Sequence, residues 1–387
     1  MSDRAFWLAW SQIDGVGPTL ILRLKHYFGD LSYAWEASVE DLVYVDGFGL
    51  QTAQAAAQGR SRIDPYQLLE QHERENPGFW TPADPDYPKL LLEIPDPPPV
   101  LYYAGQVDRQ ENQGLIPAIA IVGTRKPSDY GRRWTRRIVT ALCNAGYPIV
   151  SGLADGIDTE AHRTCIQANA RTIAVLGTGV DVVYPYSNRQ LARHIRETGL
   201  LLSEYPAGTQ PDRVHFPRRN RIIAGVCRAV LVLEAPSRSG ALITARLAND
   251  YNRDVYALPG SLDNPQSLGC LELIQNGANL ILSESALLDR LREIPSLQAA
   301  SGTGQQLSLL DALAETSPQS QSQDPAAVLN LSSELQTILH QIPKEAIALD
   351  HIVAGSGLST DVVLGALLHL ELEGWVMQLP GMRYQRV

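Results

Sequence analysis

Phe216–Gly225 reads FPRRNRIIAG: an aromatic ring, a proline, three arginines and an asparagine running into an apolar helical pattern. Guanidinium forks this close to a helix start converge with the orphan backbone N–H groups of the first turn, which makes a site for anions. A second basic run, Gly123–Arg137 (GTRKPSDYGRRWTRR), carries six Lys/Arg against one Asp. Arg125, with Lys126 beside it, is expected to contact phosphate next to a helix N-terminus. Arg218, Arg219 and Arg221 extend the anion track, unless one of them pairs with a core carboxylate such as Glu234. Asn220 either bonds a base edge or caps the helix. Phe216 and Tyr130 offer ring faces for stacking, with ordinary packing as the competing reading. Either basic run alone would be read as a solvated helix face. Two of them beside glycine-rich strand ends argue for anion binding.

Those strand ends are Gly123-Thr124-Arg125, Ser151-Gly152, Gly177-Thr178-Gly179, Ser203-Glu204-Tyr205-Pro206, Glu234-Ala235 with Ser239-Gly240, and Pro259-Gly260. In an open parallel sheet such segments share one crevice at the carboxyl ends of the strands. Enzymatic signatures are weaker. There is no GxxxxGK[ST], and the first strand ends in GTR instead of opening GxGxxG, so ATP hydrolysis and dinucleotide redox chemistry lose support. GxSxG is also missing. Asp158 and His162 stand i, i+4 and could form an acid–base pair or half a metal site, but no third ligand has suggestive spacing. A hydrogen bond that orders the helix is the preferred role for that pair. Cys143, Cys165, Cys227 and Cys270 show no CxxC spacing and read as small buried residues of a reduced, cytoplasmic protein. No cofactor is expected.

The elements that position these residues follow from periodicity. Strand-like runs at Ala118–Val122, Pro148–Ser151, Thr172–Leu176, Leu200–Ser203, Ala229–Glu234, Asp254–Leu258 and Asn279–Leu282 alternate with helical patterns. Apolar runs buried on both faces and separated by helices imply an α/β fold with a parallel sheet. Before it, IDGVG (Ile13–Gly17) and VDGFG (Val45–Gly49) form a repeat resembling tandem helix-hairpin-helix units. From Trp80 to Pro99 the chain is proline-rich and reads as an extended connector, with Leu90–Glu93 as a short helical turn. The expected divisions are a helical domain at 1–78, the core at 79–298, a Ser/Gln-rich flexible linker at 299–327 and a winged helix at 328–387. The net charge is -10, unevenly spread: -5 over 1–78, +1 over 79–299 and -6 over 300–387. The acidic first segment is expected to bind DNA weakly or not at all. A global acidic balance excludes nucleic acid only when the positive charge is dispersed, and here it is gathered. No signal peptide is apparent, and no apolar run is long enough for membrane insertion.

In order and spacing, IAIVGTR, SGLADGIDTEAH, TIAVLGTGVDVVYP, LLSEYP, FPRRNRIIAG, VLEAPSRSGALITARLA and VYALPG resemble the DNA-processing protein A family (DprA/Smf), from Tyr87 to about Glu284. The resemblance implies an extended Rossmann-like core that binds single-stranded DNA, forms homodimers and hands DNA to the RecA recombinase during natural transformation. A small helical domain before the core and a winged helix after it are common in the family. On this reading the DNA-binding set is Gly123, Thr124, Arg125, Lys126, Ser151, Gly152, Phe216, Arg218, Arg219, Asn220, Arg221, Ser239 and Gly240, with no catalytic residue. Thr124 stands where the family usually has Ser and keeps the hydroxyl. Asp155 stands where many members have Arg, which removes a positive charge from the pocket edge. The competing expectation is a nucleotide phosphoribohydrolase-like enzyme on a related fold, using Glu204, Glu234 or Asp158, although Pro259–Leu262 does not match its PGGxGT-type loop. A third is a regulator reading duplex DNA through the winged helix, whose Thr360–Glu373 helix has no Lys or Arg.

Overall fold

The computed structural model describes residues 2–76, 78–294, 333–343, 347–372, 375–379 and 383–386. They fall into two compact units, one within Met1–Gly304 and one within Gln305–Val387. The expected helical domain and core therefore belong to a single unit, and the linker at 299–327 lies outside the described residues.

The first segment is helical, and its repeat makes two equivalent turns. IDGVG joins the helices Ser2–Ser11 and Pro18–Phe28, and VDGFG joins Val39–Val43 and Leu50–Arg60. In each turn the first glycine, Gly15 or Gly47, takes a φ near +80°, which L side chains rarely adopt. Val16 N–H donates to Ile13 O and Phe48 N–H to Val45 O. Trp7, Trp10, Ile21, Leu24 and Phe48 fill the core between the hairpins. Leu8 packs with Phe79, Val100 and Tyr102, fastening the helices to the edge of the sheet that follows.

That sheet has nine strands: β1 (Phe79–Trp80), β2 (Leu101–Gly105), β3 (Ile119–Val122), β4 (Ile149–Ser151), β5 (Thr172–Leu176), β6 (Leu200–Ser203), β7 (Ala229–Val232), β8 (Asp254–Ala257) and β9 (Asn279–Leu280). Their order is β1-β2-β6-β5-β4-β3-β7-β8-β9. Strands β3 to β9 run parallel, as the doubly buried runs imply. Strands β1 and β2 were not expected. They add an antiparallel edge, with Tyr102 opposite Ser203 and Phe79 opposite Tyr102. Side chains alternate along each strand. Ala120, Val122 and Val230 pack on one face under the helices His215–Gly225 and Gly240–Asp250. Ile119, Ile121 and Leu231 pack on the other under Asp129–Asn144 and Ile157–Gln167. From β3 the chain builds outward to β6 and then returns to place β7 on the other side of β3. The β3/β7 junction is thus the topological switch point, where a doubly wound sheet opens its crevice.

The second unit has the winged-helix elements: helices Ser333–Gln341, Leu349–Ser356 and Thr360–Leu372, and an antiparallel pair β11 (Val376–Leu379) and β12 (Arg383–Arg386). A short β10 (Ile347–Ala348), absent from the sequence reading, pairs with β12. Ile338, Ile352, Val363, Leu367 and Tyr384 are among its buried residues.

Candidate functional site

A cleft of about 630 Å³ opens at the switch point. Its walls come from both halves of the sheet. Gly123, Thr124 and Arg125 follow β3; Ala154 and Asp158 follow β4; Tyr184 follows β5. Arg213, Phe216, Arg219 and Asn220 come from the segment after β6, and Arg238, Ser239 and Gly240 follow β7. Pro259-Gly260 is not in its lining.

The β3 loop is held from β7. Thr124 N–H donates to Glu234 O at 2.7 Å, and Ile157 N–H donates to Thr124 O at 3.1 Å. Ser128 caps the Asp129–Asn144 helix and also donates to Glu234, N–H at 2.8 Å and Oγ at 2.5 Å. Thr124 Oγ1 donates to Gln266 and accepts from Lys126 N–H. Arg125 and Lys126 are left exposed. On the opposite wall Ser239 caps the Gly240–Asp250 helix by accepting from Ala241 N–H, so that helix start faces the cleft with its positive dipole end. Asn220 Nδ2 donates to Gly240 O at 3.3 Å, tying the His215–Gly225 helix to the start of the Gly240–Asp250 helix.

The arginines of FPRRNR divide by burial. The helix starts at His215, so they occupy its second turn, not its first as the sequence suggested. Arg218 is exposed. Arg219 is 5 % exposed and donates to Gly152 O at 2.6 Å and to Val175 O. Burial lowers its pKa to about 10, against the pull of Asp158. It borders the cleft from within the wall. A Cβ on Gly152 would run into Arg219 Nη1, so glycine there makes room for the guanidinium. Arg221 does not join the track: it pairs with Glu204 at 2.6 Å and Asp96 at 3.0 Å, carboxylates that the sequence reading did not single out for it. Ser151 is likewise withdrawn from the surface, fully buried with Oγ donating to Ile121 O. Tyr130 bonds Pro259 O and stands beside Trp134, outside the cleft lining. Phe216 is half-buried in the cleft wall, tilted against Tyr184 with centroids 5.4 Å apart and with Arg125 5.8 Å above its ring.

Arg213, Arg238 and Tyr184 are cleft residues that sequence reasoning missed. Arg238 had a signal, lying beside Ser239-Gly240. Arg213 stands just upstream of FPRRNR and Tyr184 within VVYP. Among the described residues Arg125, Arg213, Arg218 and Arg238 have no ion pair.

The carboxylates proposed for nucleotide chemistry are all engaged. Glu234 is buried beneath Ser128, Thr124 and Asn264. Glu204 pairs with Arg221; burial raises its pKa while Arg221 pulls it down. Of the three only Asp158 lines the cleft. It accepts from Gly152 and Ala154 N–H groups, and burial raises its pKa against the pull of Arg219. His162 bonds Thr172, not Asp158, and burial lowers its pKa to about 3. Among the described residues no group of three His, Cys, Asp or Glu is placed to hold a metal, and no helix is long and apolar enough to cross a membrane.

Residues 78–292 match the model of the DNA recombination-mediator protein A family, and residues 316–382 match the DprA winged helix domain. Protein Smf of Synechocystis sp. is 50% identical over a 398-residue alignment covering 100% of this chain and 99% of that protein. The X-ray structure of DNA processing protein A from Streptococcus pneumoniae is similar with a TM-score of 0.65 and 37% identity, over 75% of this chain and 98% of that one. DNA processing protein A from Helicobacter pylori, solved for its single-stranded DNA binding mode, is similar with a TM-score of 0.50 and 30% identity, over 56% of this chain and 96% of that one. On the cleft, the sheet order and these matches together, the chain belongs to the DNA recombination-mediator protein A family.

Proposed function

We propose that the cleft binds single-stranded DNA with little sequence preference. On this proposal the protein is a non-catalytic recombination mediator that protects incoming DNA and loads RecA recombinase onto it during natural transformation. It acts in the cytoplasm as a homodimer through the Rossmann-like core. The observation that carries the reading is the conjunction in one cleft of guanidinium groups without an ion pair among the described residues (Arg125, Arg213, Arg238) with the Phe216–Tyr184 ring pair and a helix start. A single strand needs a cationic groove for its phosphates and ring faces for its bases, and every base has a face to stack. The single-stranded DNA binding mode described for the Helicobacter relative supports the same assignment. DNA contacts in the cleft are assigned to Gly123, Thr124, Arg125, Phe216, Asn220, Ser239 and Gly240, with Arg213 and Arg238 added; Lys126 and Arg218, exposed outside the cleft lining, are assigned to phosphates beyond it. Arg219 and Gly152 shape the wall.

The test is a titration of single- and double-stranded oligonucleotides across a salt series. Single strands should bind tighter. An Arg125→Ala/Arg238→Ala variant should bind more weakly, with the slope of log K against log salt smaller by about 1.4, since each lost phosphate contact is worth ~0.7 on single strands. Unchanged affinity and slope in the folded variant would refute the assignment.

A further inference from the structure

The cleft uses only part of the second basic run. Arg136 is held by Glu160 at 2.5 Å, Arg137 by Glu284 at 2.6 Å, and Arg133 lies over the Tyr130 ring. Arg132 is different. It is exposed, has no ion pair among the described residues, and faces a second groove of about 270 Å³ between the Asp129–Asn144 and Ile157–Gln167 helices. Arg163, also exposed and unpaired among the described residues, lines the same groove. Arg125 lines both this groove and the cleft. A narrow gap of about 30 Å³ lies at the junction, sharing Arg125, Tyr184 and Phe216 with the cleft and Arg125 and Asp155 with the groove.

The floor of the groove is built. Thr159 Oγ1 donates to Ala154 O at 2.6 Å, and Asn188 Nδ2 donates to Thr159 and to Leu153 O. Glu160, one of its two carboxylates, is already matched by Arg136. That leaves three guanidinium groups facing Asp155, which accepts from Ser187 Oγ at 3.4 Å. Its lining includes no ring on which a base could stack, so the groove suits a phosphodiester backbone.

We propose that this groove is a second phosphate subsite, which receives the backbone of nucleotides flanking those in the cleft. The strand passes Arg125 and lies between Arg132 and Arg163, while Asp155 at the junction opposes its passage. The inference rests on the cleft being the single-strand site. It adds a direction of exit and a longer footprint than the cleft alone would give.

Oligothymidylates of increasing length, titrated against the full chain at several salt concentrations, test it. An Arg132→Ala/Arg163→Ala variant should match the parent on the shortest oligomers that bind. It should stop gaining affinity at a shorter length, with the salt slope on long oligomers smaller by about 1.4. Asp155→Asn should tighten long oligomers and leave short ones unchanged. Both arginines are exposed, so the variant should melt like the parent. Two results would overturn the proposal: identical length dependence and slope in variant and parent, or equal weakening of short and long oligomers, which indicates a general field. An Arg213→Ala/Arg238→Ala variant separates the two readings. If it binds the shortest oligomers like the parent, the cleft assignment itself fails, whatever the outer groove does.

Discussion

Arg218 and Arg221 stand three residues apart in one motif, and the structure gives them opposite consequences on substitution. Arg221 is 8% exposed and pairs with Glu204 and Asp96, of which Glu204 is the more buried at 13%. Among the described residues one Glu204 oxygen has no hydrogen-bond partner. In Arg221→Met the carboxylate would remain buried without its ion-pair partner, left with the weaker pulls of Arg218 and His215. Breaking a buried pair from one side costs about 3–5 kcal/mol, and most of that cost belongs to Glu204. The loss should depend on pH. Burial already raises the Glu204 pKa against the pull of Arg221, and without the guanidinium it rises further. A carboxyl whose folded pKa lies above its unfolded value favours the fold in acid and loses that contribution as pH rises through the folded value. The deficit of Arg221→Met should therefore be small at about pH 5 and large at about pH 8. Glu204→Gln in the same chain should recover part of it. Arg218→Ala, exposed and unpaired among the described residues, should stay within about 0.5 kcal/mol of the parent but lose a phosphate contact, lowering the salt slope by about 0.7. Urea unfolding followed by tryptophan fluorescence, with a single-strand titration on each variant, decides the matter. An Arg221→Met protein that unfolds at the parent's urea concentration yet binds DNA poorly would refute the division.

Phe216→Ala should cost about 1–3 kcal/mol of single-strand affinity, roughly 5- to 150-fold, with the salt slope unchanged, while Phe216→Trp keeps the affinity; fluorescence anisotropy reads both. Gly152→Ala should drive the Arg219 guanidinium off its carbonyls and lower stability by about 1–3 kcal/mol, seen as an earlier thermal transition. His162, with its pKa lowered to about 3, holds its proton less well folded than unfolded. Its contribution to stability should be full above about pH 6.5 and fall below that at up to about 1.4 kcal/mol per pH unit, a slope that His162→Gln removes in acid titrations of stability. Residues 300–387 carry a net charge of -6, so a chain ending near Ser296 should bind single strands at least as tightly as the full chain in the same titration.

The parallel strands were legible because each is a short apolar run between turn residues. Thr172–Leu176 and Leu200–Ser203 coincide with β5 and β6. β1 and β2 were not, because β1 has two residues and the prolines that follow it hide the return strand β2. The cleft was legible as a set of loops, since strand carboxyl ends converge by topology. The roles of neighbouring arginines were not. Arg221 is buried because Asp96 and Glu204 arrive from distant segments, and Arg219 because β4 and β5 offer it carbonyls. Nothing in the order of residues within PRRNR separates these from Arg218. Ser151 fails for the same reason: a hydroxyl at a strand end can face the ligand or the next strand, and only the register decides.

The cleft joins residues after β3 to residues after β7, and this has a consequence for how the protein is made. Between Arg125 and Arg238 lie more than a hundred residues, which a ribosome adds in roughly 6 to 22 s at ~5–20 residues per second. Until β7 and the segment after it have been synthesised, the Arg238–Gly240 wall is missing, and the Glu234 carbonyl that fixes the Arg125 loop does not exist. The cleft is incomplete during that interval. Nor can β3 finish its pairing: Ile119–Val122, central in the finished sheet, is for that time an open apolar edge of the kind that pairs with other chains. The period of greatest exposure to misassembly therefore ends with the same strand that creates the binding site.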